Sequence, residues 1–182
     1  MRENKKLKVA IIGYGYWGPN LARNFDYSDQ FELICICDLS ESLLIKASRN
    51  HPNVKTLTSF EEVLNLHNLE AVVISTPPSS HFELGMKALE RNKHVLIEKP
   101  LAQTSKECRL LMGEARSRNL VLMVDHTFTY TGAVMKMREL AKSSLGELLY
   151  YDSVRINLGL FQRDINVMWD LAVHDLSILD SL

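Results

Sequence analysis

The chain has 182 residues, enough for one full domain and the beginning of a second. Its 21 lysines and arginines nearly balance its 22 aspartates and glutamates, which argues against nucleic acid as the main partner, because phosphate binding usually needs a basic face. The apolar run after the basic N-terminus stops at Gly13, too short for a signal-peptide core or a membrane span, so we expect a cytoplasmic protein without a membrane partner.

Short apolar runs rich in Val and Ile alternate along the first two thirds of the chain with segments of helical period. Strands of this kind are buried on both faces, and their alternation with helices predicts an α/β fold with a doubly wound parallel sheet of the Rossmann type. Strands are predicted at 7–12, 31–37, 70–75, 93–98 and 120–125, and helices at 18–27, 40–50, 59–66, 79–92 and 103–119.

After Thr127 the pattern changes. A helix is predicted at 131–144, followed by one long strand at 147–158 in which one face tends apolar and the other amphipathic. A single strand is not stable alone, so it must pair with something. We therefore predict a first domain at 1–126 and the start of an incomplete second domain at 127–182.

The sequence GYGYWG follows the first predicted strand and opens a helix, and it has the spacing GxGxxG. At that position free backbone N–H groups and the helix dipole can hold a pyrophosphate. The three glycines then serve the tight turn, the approach to the phosphates and the packing of helix on strand. The pattern alone is weak, but this context predicts a dinucleotide site whose contacts are Gly13, Gly15, Tyr16, Trp17 and Gly18.

Asp38 falls just past the second predicted strand, where a carboxylate can accept hydrogen bonds from the adenosine ribose. It can equally be a helix N-cap or loop residue, or serve both roles. Leu39, Ser40 and Glu41 follow, without an Arg or Lys that could neutralise a 2′-phosphate. We therefore expect NAD rather than NADP as the cofactor.

Two further strand ends carry polar or charged residues beside prolines, STPP at 75–78 and EKP at 98–100. In doubly wound sheets ligands bind beyond the carboxyl ends of the strands. Each motif alone is as well explained by a strand that proline terminates. Together they predict further cofactor contacts by Ser75, Thr76, Pro77, Glu98 and Lys99.

The last segment of the chain places Asp170 and His174 four residues apart on a predicted helix, so their side chains project from nearly the same line. Ser177 extends this polar stripe on a helix that is otherwise apolar enough to be buried. The six histidines and three cysteines show no metal-ligand spacing, so no metal is expected. The cysteines are expected to be buried structural thiols.

GYGYWG, Asp38, TPPSSH, EKP and the DxxxH of the last helix, in this order, resemble the glucose–fructose oxidoreductase/inositol dehydrogenase/MocA family over essentially the whole chain. The stretch VDHTFTYTGAV and the segment from SVRINLGLF onward are most similar to its sugar-nucleotide oxidoreductase branch. The resemblance implies an NAD(P)-binding N-terminal domain, an α+β C-terminal domain built on a large open antiparallel sheet that often mediates oligomers, and a cis peptide at Lys99-Pro100.

By that resemblance Lys99, Asp170 and His174 match the catalytic positions of the family. Either His174 or Lys99 would remove the proton of a secondary sugar hydroxyl, and the sequence does not decide between them. Asp170 would orient His174 or keep Lys99 charged. Arg155 and Asn157 are expected to contact a substrate phosphate or sugar hydroxyls, although an ion pair in the sheet explains Arg155 equally well. His81 and His126 are expected to be structural or cofactor-adjacent, and His81 is counted among the cofactor contacts.

The expected function is hydride transfer between nicotinamide and a secondary hydroxyl of a sugar or sugar nucleotide. Members of the family are usually nearly twice as long, so the chain is expected to be a fragment, or a short form whose second domain self-association or a partner chain completes. An NAD-binding module without independent catalysis, serving as a regulatory or assembly subunit, is the alternative function. A purely structural α/β domain would leave the glycine motif and Asp38 unexplained.

Overall fold

The computed structural model describes residues 5–144, 146–156 and 165–182. The chain divides into two compact units between Val124 and Asp125. The assignment of 1–126 to NAD(P) binding, and of 127–182 to a partial domain for substrate binding and oligomerisation, stays a prediction. No helix in the described part of the chain is long and apolar enough to cross a membrane.

The first unit is built on a six-stranded sheet in the order β3-β2-β1-β4-β5-β6, and the pairs β1–β2, β1–β4, β2–β3 and β4–β5 are parallel. This confirms the predicted doubly wound α/β class. Its elements are β1 (Leu7–Ile12), α1 (Gly18–Asp26), β2 (Phe31–Cys37), α2 (Glu41–Asn50), β3 (Lys55–Leu57), α3 (Phe60–Leu64), β4 (Ala71–Ile74), α4 (His81–Glu90), β5 (His94–Glu98), α5 (Ser105–Ser117) and β6 (Leu122–Asp125).

Alternate residues of the central strands pack on opposite faces of the sheet. In β1, Val9 and Ile11 join α1 and α2 in one apolar cluster, while Ala10 and Ile12 join α3, α4 and α5 in the other. All four side chains are buried. Helices on both faces explain why these strands read as continuous apolar runs rather than alternating ones.

Local signals in the sequence set several helix starts. Pro19 lies in the first turn of α1, where its missing N–H removes no helical hydrogen bond. The Ser59 hydroxyl caps α3 by accepting a hydrogen bond from the Glu62 amide, as the spacing of these residues predicts. Thr104 and Glu107 form a full capping box at the start of α5.

Beyond β6 the described residues form helical elements and irregular segments. These are a 3₁₀ turn at Thr127–Tyr130, α6 (Gly132–Ser143), a π-helical turn at Met168–Ala172 and α7 (Val173–Ser181). The strand predicted at 147–158 is wrong for its described residues, since 147–156 contain no strand, and residues 157 and 158 lie outside the described residues. The alternation is present, but ladder formation needs a partner strand, and none pairs with this segment in the described chain.

The last helix departs from the sequence prediction in two ways. Asp170 lies in the π-helical turn and His174 lies in the α-helix that continues from it. The two residues are therefore not separated by a regular turn of α-helix. The helix is also only partly buried: His174 and Ile178 are buried, whereas Leu176 is exposed.

Candidate functional site

The site lies where the strand order reverses. β1 pairs with β2 on one side and with β4 on the other, so the carboxyl ends of β1 and β4 diverge into connections on opposite faces of the sheet. A cavity of about 450 Å³ opens at this point. Its lining consists of Ile12, Gly13, Gly15, Cys37, Asp38, Leu39, Thr58, Phe60, Ser75, Thr76, Pro77, Ser79, Ser80 and Leu84.

Two glycines of the GxGxxG motif are required by the packing of the protein itself. Gly13 has φ +97°, and a Cβ there would lie 2.6 Å from the Ser75 carbonyl oxygen. A Cβ on Gly18 would overlap the Gly13 carbonyl oxygen. These contacts hold the turn closely against the end of β4, as the predicted roles in the turn and in helix packing require.

Gly15 differs from the other two. A Cβ on Gly15 would meet no atom of the described residues within 4 Å, and Gly15 lines the cavity. Nothing in this part of the fold therefore needs a glycine at this position. A residue without a side chain at the mouth of a cavity and beside a helix N-terminus suits a pyrophosphate that approaches the backbone closely.

Asp38 is held by two backbone amides. The Tyr14 amide donates to Oδ2 over 2.7 Å, and the Ser40 amide donates to Oδ1 over 2.8 Å. Ser40, not Asp38, is the N-cap residue of α2. Each carboxylate oxygen accepts from one amide and keeps a further lone pair, so the group is fixed in place and still able to accept a ribose hydroxyl.

Tyr14 contributes to the site although the sequence analysis gave it no role. Its side chain is buried, with only 1% exposed, and its hydroxyl accepts a hydrogen bond from Asn50. By contrast, Tyr16 is 81% exposed and Trp17 is 40% exposed. The first variable residue of the motif therefore anchors the turn in the core, and the next two are open to solvent.

The end of β4 joins the glycine turn through Ser75. Its hydroxyl donates to the Gly13 carbonyl oxygen, and its amide donates to the carbonyl oxygen of Ile12. The Thr76 and Ser80 hydroxyls are 2.7 Å apart. The structure thus brings the predicted contacts Gly13, Gly15, Asp38, Ser75, Thr76 and Pro77 to one cavity.

The end of β5 carries Lys99, whose amide donates to Glu98 Oε2 over 3.2 Å. The Lys99-Pro100 peptide bond is cis, as the resemblance implies. His81 begins α4 and is fully buried, with both ring nitrogens 2.8 Å from backbone carbonyl oxygens. The cofactor roles of Glu98, Lys99 and His81 stay predictions.

Eight lining residues were not predicted as site residues from the sequence: Ile12, Cys37, Leu39, Thr58, Phe60, Ser79, Ser80 and Leu84. Thr58 and Phe60 follow β3, a strand of only three residues that shows no clear periodicity. Had the run Lys55–Leu57 been assigned as a strand, the rule that ligands bind beyond strand ends would have pointed to Thr58.

In the second unit a cluster forms around Phe128. The His174 ring meets the Phe128 ring edge to face with centroids 4.7 Å apart, and the Arg155 guanidinium lies 4.6 Å from the Phe128 centroid. Arg155 also donates from Nε and Nη2 to both carboxylate oxygens of Asp175, over 3.1 and 2.9 Å. The hydrogen bonds from Arg155 hold the pKa of Asp175 below its usual range.

This geometry matches the ion-pair alternative for Arg155, with helix α7 rather than a sheet as the partner. A substrate contact by Arg155 stays a prediction, and Asn157 lies outside the described residues. Lys99 belongs to the first unit, whereas Asp170 and His174 belong to the second, so their joint catalytic role also stays a prediction. His126 is half-buried, and burial lowers its pKa.

Among residues 5–144, 146–156 and 165–182, no group of three or more His, Cys, Asp or Glu side chains is placed to hold a metal ion.

Residues 7–126 match the sequence profile of an oxidoreductase family with an NAD-binding Rossmann fold. This is the glucose–fructose oxidoreductase/inositol dehydrogenase/MocA family. The chain belongs to this family. The predicted family resemblance is confirmed.

Individual relatives agree with the family assignment. An uncharacterized oxidoreductase of Schizosaccharomyces pombe is 38% identical over 119 residues, which are 65% of this chain and 32% of that protein. The scyllo-inositol 2-dehydrogenase (NADP(+)) IolW of Bacillus subtilis is 25% identical over 173 residues, covering 92% of this chain and 46% of that protein.

A solved structure of an NAD-binding protein from Listeria innocua superposes with a TM-score of 0.81 at 27% identity, covering 96% of this chain and 54% of that one. The matched regions thus span between about a third and about half of the length of these relatives. Each of these three relatives therefore continues well beyond the region that it shares with this chain.

Proposed function

We propose that this chain is part of an NAD-dependent oxidoreductase that transfers hydride between nicotinamide and a secondary hydroxyl of a sugar or sugar nucleotide. The observation that carries the proposal is the cavity at the switch point of the sheet, which places Gly15 and Asp38 together at the ends of β1 and β2. Gly15 leaves room that the described fold does not need, and Asp38 is fixed with acceptor capacity left over.

The residues present fit a dinucleotide. The pyrophosphate would lie against the backbone of the glycine turn at the start of α1, with the Gly15 position as its closest approach. Asp38 would accept hydrogen bonds from the adenosine ribose, and Thr58 and Phe60 would line the adenine side of the cavity. Bound nicotinamide supplies the carbon that gives or takes the hydride.

NAD is preferred over NADP in this proposal because of the charge at the ribose position. The Asp38 carboxylate would repel a 2′-phosphate, and among the described residues the cavity lining contains no arginine or lysine that could neutralise it. NADPH should therefore bind at least about tenfold more weakly than NADH, a difference of about 1.4 kcal/mol. Fluorescence titration with both nucleotides tests this, and the Asp38→Ser variant should narrow the difference. Equal binding of both nucleotides by the wild-type chain would contradict the preference.

The catalytic roles that we propose belong to residues of this chain. Lys99, at the end of β5, would hydrogen-bond the reacting oxygen and stabilise negative charge that develops on it. His174 would take the hydroxyl proton, or share that transfer with Lys99, and Asp170 would orient His174. Arg155 and Asn157 are proposed to stand near the substrate.

Deuteride transfer from deuterated NADH to keto-sugars and keto-sugar nucleotides, detected by mass spectrometry, tests the reaction. Lys99→Ala should abolish transfer and leave NADH affinity within about threefold of wild type, since Lys99 acts mainly on the reacting oxygen. Lys106→Ala, which changes an exposed lysine of α5, is the matched control and should alter neither quantity. Loss of NADH binding and of transfer to the same extent in Lys99→Ala would contradict the assigned role.

The second candidate is an NAD-binding module without turnover of its own, in a regulatory or assembly role. It is favoured by one observation, that the matched relatives are about twice as long as this chain. Tight NADH binding with no deuteride transfer to any sugar substrate would support the module over the enzyme. Failure to bind NADH would contradict both candidate functions.

The cellular compartment and the association with other chains are also proposed. All three cysteines carry free thiols, as expected for a reducing compartment such as the cytoplasm. Leu149, Tyr150 and Ile156 are more than four-fifths exposed, so we propose that self-association or a partner chain covers them. Sedimentation of the purified chain, alone and with NADH, measures the association.

A further inference from the structure

His81 is the first residue of α4, and none of its surface is exposed to solvent. Its Nδ1 lies 2.8 Å from the Pro100 carbonyl oxygen, and its Nε2 lies 2.8 Å from the Thr76 carbonyl oxygen. Pro100 belongs to the segment after β5 and Thr76 to the segment after β4. The ring therefore spans two neighbouring strand ends on the side of the sheet that holds the candidate site.

The two contacts constrain the protonation state of the ring. A backbone carbonyl oxygen only accepts hydrogen bonds, so each ring nitrogen must donate to make a favourable contact. A neutral imidazole has one N–H group, and its other nitrogen presents a lone pair. At 2.8 Å that lone pair would face a carbonyl oxygen, which is repulsive. Only the imidazolium form donates in both directions.

We propose that His81 is a buried imidazolium that fixes the segments after β4 and β5 relative to one another, and that it thereby positions Thr76 for the cofactor and Lys99 for the reacting oxygen. The inference rests on the proposed function for its effect on NADH, but not for the state of the ring. His81 acts through its neighbours and is a positioning residue.

Two contributions oppose the charge on the ring, and the proposal requires that its hydrogen bonds outweigh them. Complete burial disfavours a charge, and the positive end of the α4 dipole disfavours a cation at the first helical position. Against these stand two short charge-assisted hydrogen bonds, each stronger than a neutral one. Glu98, the last residue of β5, and Lys99, which follows it, are the titratable residues that precede Pro100, one acidic and one basic.

The ring state can be read directly by long-range ¹⁵N–¹H correlation NMR on the uniformly labelled chain. The His81 signals are assigned by their loss in His81→Asn, and the signals of the exposed His67, lost in His67→Asn, serve as the matched control. We expect both His81 ring nitrogens to have the shifts of protonated nitrogen at pH 7.5, with and without NADH. One unprotonated ring nitrogen at that pH would overturn the inference.

The positioning role is tested by NADH titration of the same variants. His81→Asn should raise the Kd about tenfold, since one short amide cannot reach both carbonyl oxygens, whereas His67→Asn should leave it within about twofold. Wild-type affinity in a folded His81→Asn chain would overturn the positioning role. If the wild-type chain binds no NADH, the proposed function fails, and the ring-nitrogen measurement still decides the state of His81.

Discussion

Replacing Gly15 with alanine should separate cofactor binding from folding in a single substitution. The added Cβ meets no described atom within 4 Å, and the residue does not have the positive φ that makes Gly13 intolerant of a side chain. The free energy of unfolding should therefore change by no more than about 0.5 kcal/mol, as for a surface substitution. A small gain is also compatible, because alanine restricts the unfolded chain.

The same methyl group should weaken NADH binding strongly. It would stand where the pyrophosphate approaches the backbone, and it would remove at least one charge-assisted hydrogen bond from an amide. Such a bond contributes about 1.5–3 kcal/mol, so the Kd for NADH should rise roughly 10- to 150-fold. Fluorescence titration measures this change, and thermal unfolding followed by circular dichroism measures stability.

Gly18→Ala is the matched control, because its Cβ would overlap the backbone of Gly13. It should lower the free energy of unfolding by about 1–3 kcal/mol, and thus Tm by roughly 2–12 °C for a chain of this size. Two results would refute the reasoning. One is a Gly15→Ala chain that binds NADH as wild type does, and the other is one that unfolds as readily as Gly18→Ala.

Two further predictions concern groups away from the glycine turn. Burial raises the pKa of Cys35 to about 12 and that of Cys37 to about 11. At pH 8 a disulfide reagent should therefore modify at most Cys108 in the folded chain, and all three thiols in urea. Modification of two or more thiols before unfolding would contradict this prediction. Asp175→Asn should lower stability at pH 7 by about 1–2 kcal/mol, because the pair with Arg155 is only partly exposed. This loss of stability should become smaller as the pH falls from about 5 toward 3. Because the pKa of Asp175 is lower in the folded chain, its carboxylate stabilises the fold above the unfolded pKa, and this contribution is lost as the folded group protonates. A loss of stability that does not depend on pH would contradict this prediction.

The parallel sheet was predictable because its signals are local. Continuous apolar runs mark β1 and β2, and the spacing of Ser59 and Glu62 marks the start of α3. The cavity was predictable to the extent that it is made of strand ends, which is why Asp38 and Thr76 were found.

The errors arise where structure depends on distant partners or on very short elements. The strand β3 has three residues and gave no periodicity, so its neighbour Thr58 was missed. The segment 147–156 has the alternation of a strand but finds no pairing strand in the described chain. The contact of Arg155 with Asp175 joins residues 20 positions apart, and no local pattern encodes it.

The most direct test of the central claim, that the switch-point cavity binds the nicotinamide cofactor, is a map of amide ¹⁵N–¹H chemical-shift changes when NADH is added to the labelled chain. The largest changes are expected at Gly13, Gly15, Asp38, Ser75 and Thr76, with saturation at a single Kd. Saturable changes centred elsewhere, or no changes at millimolar NADH, would contradict the claim.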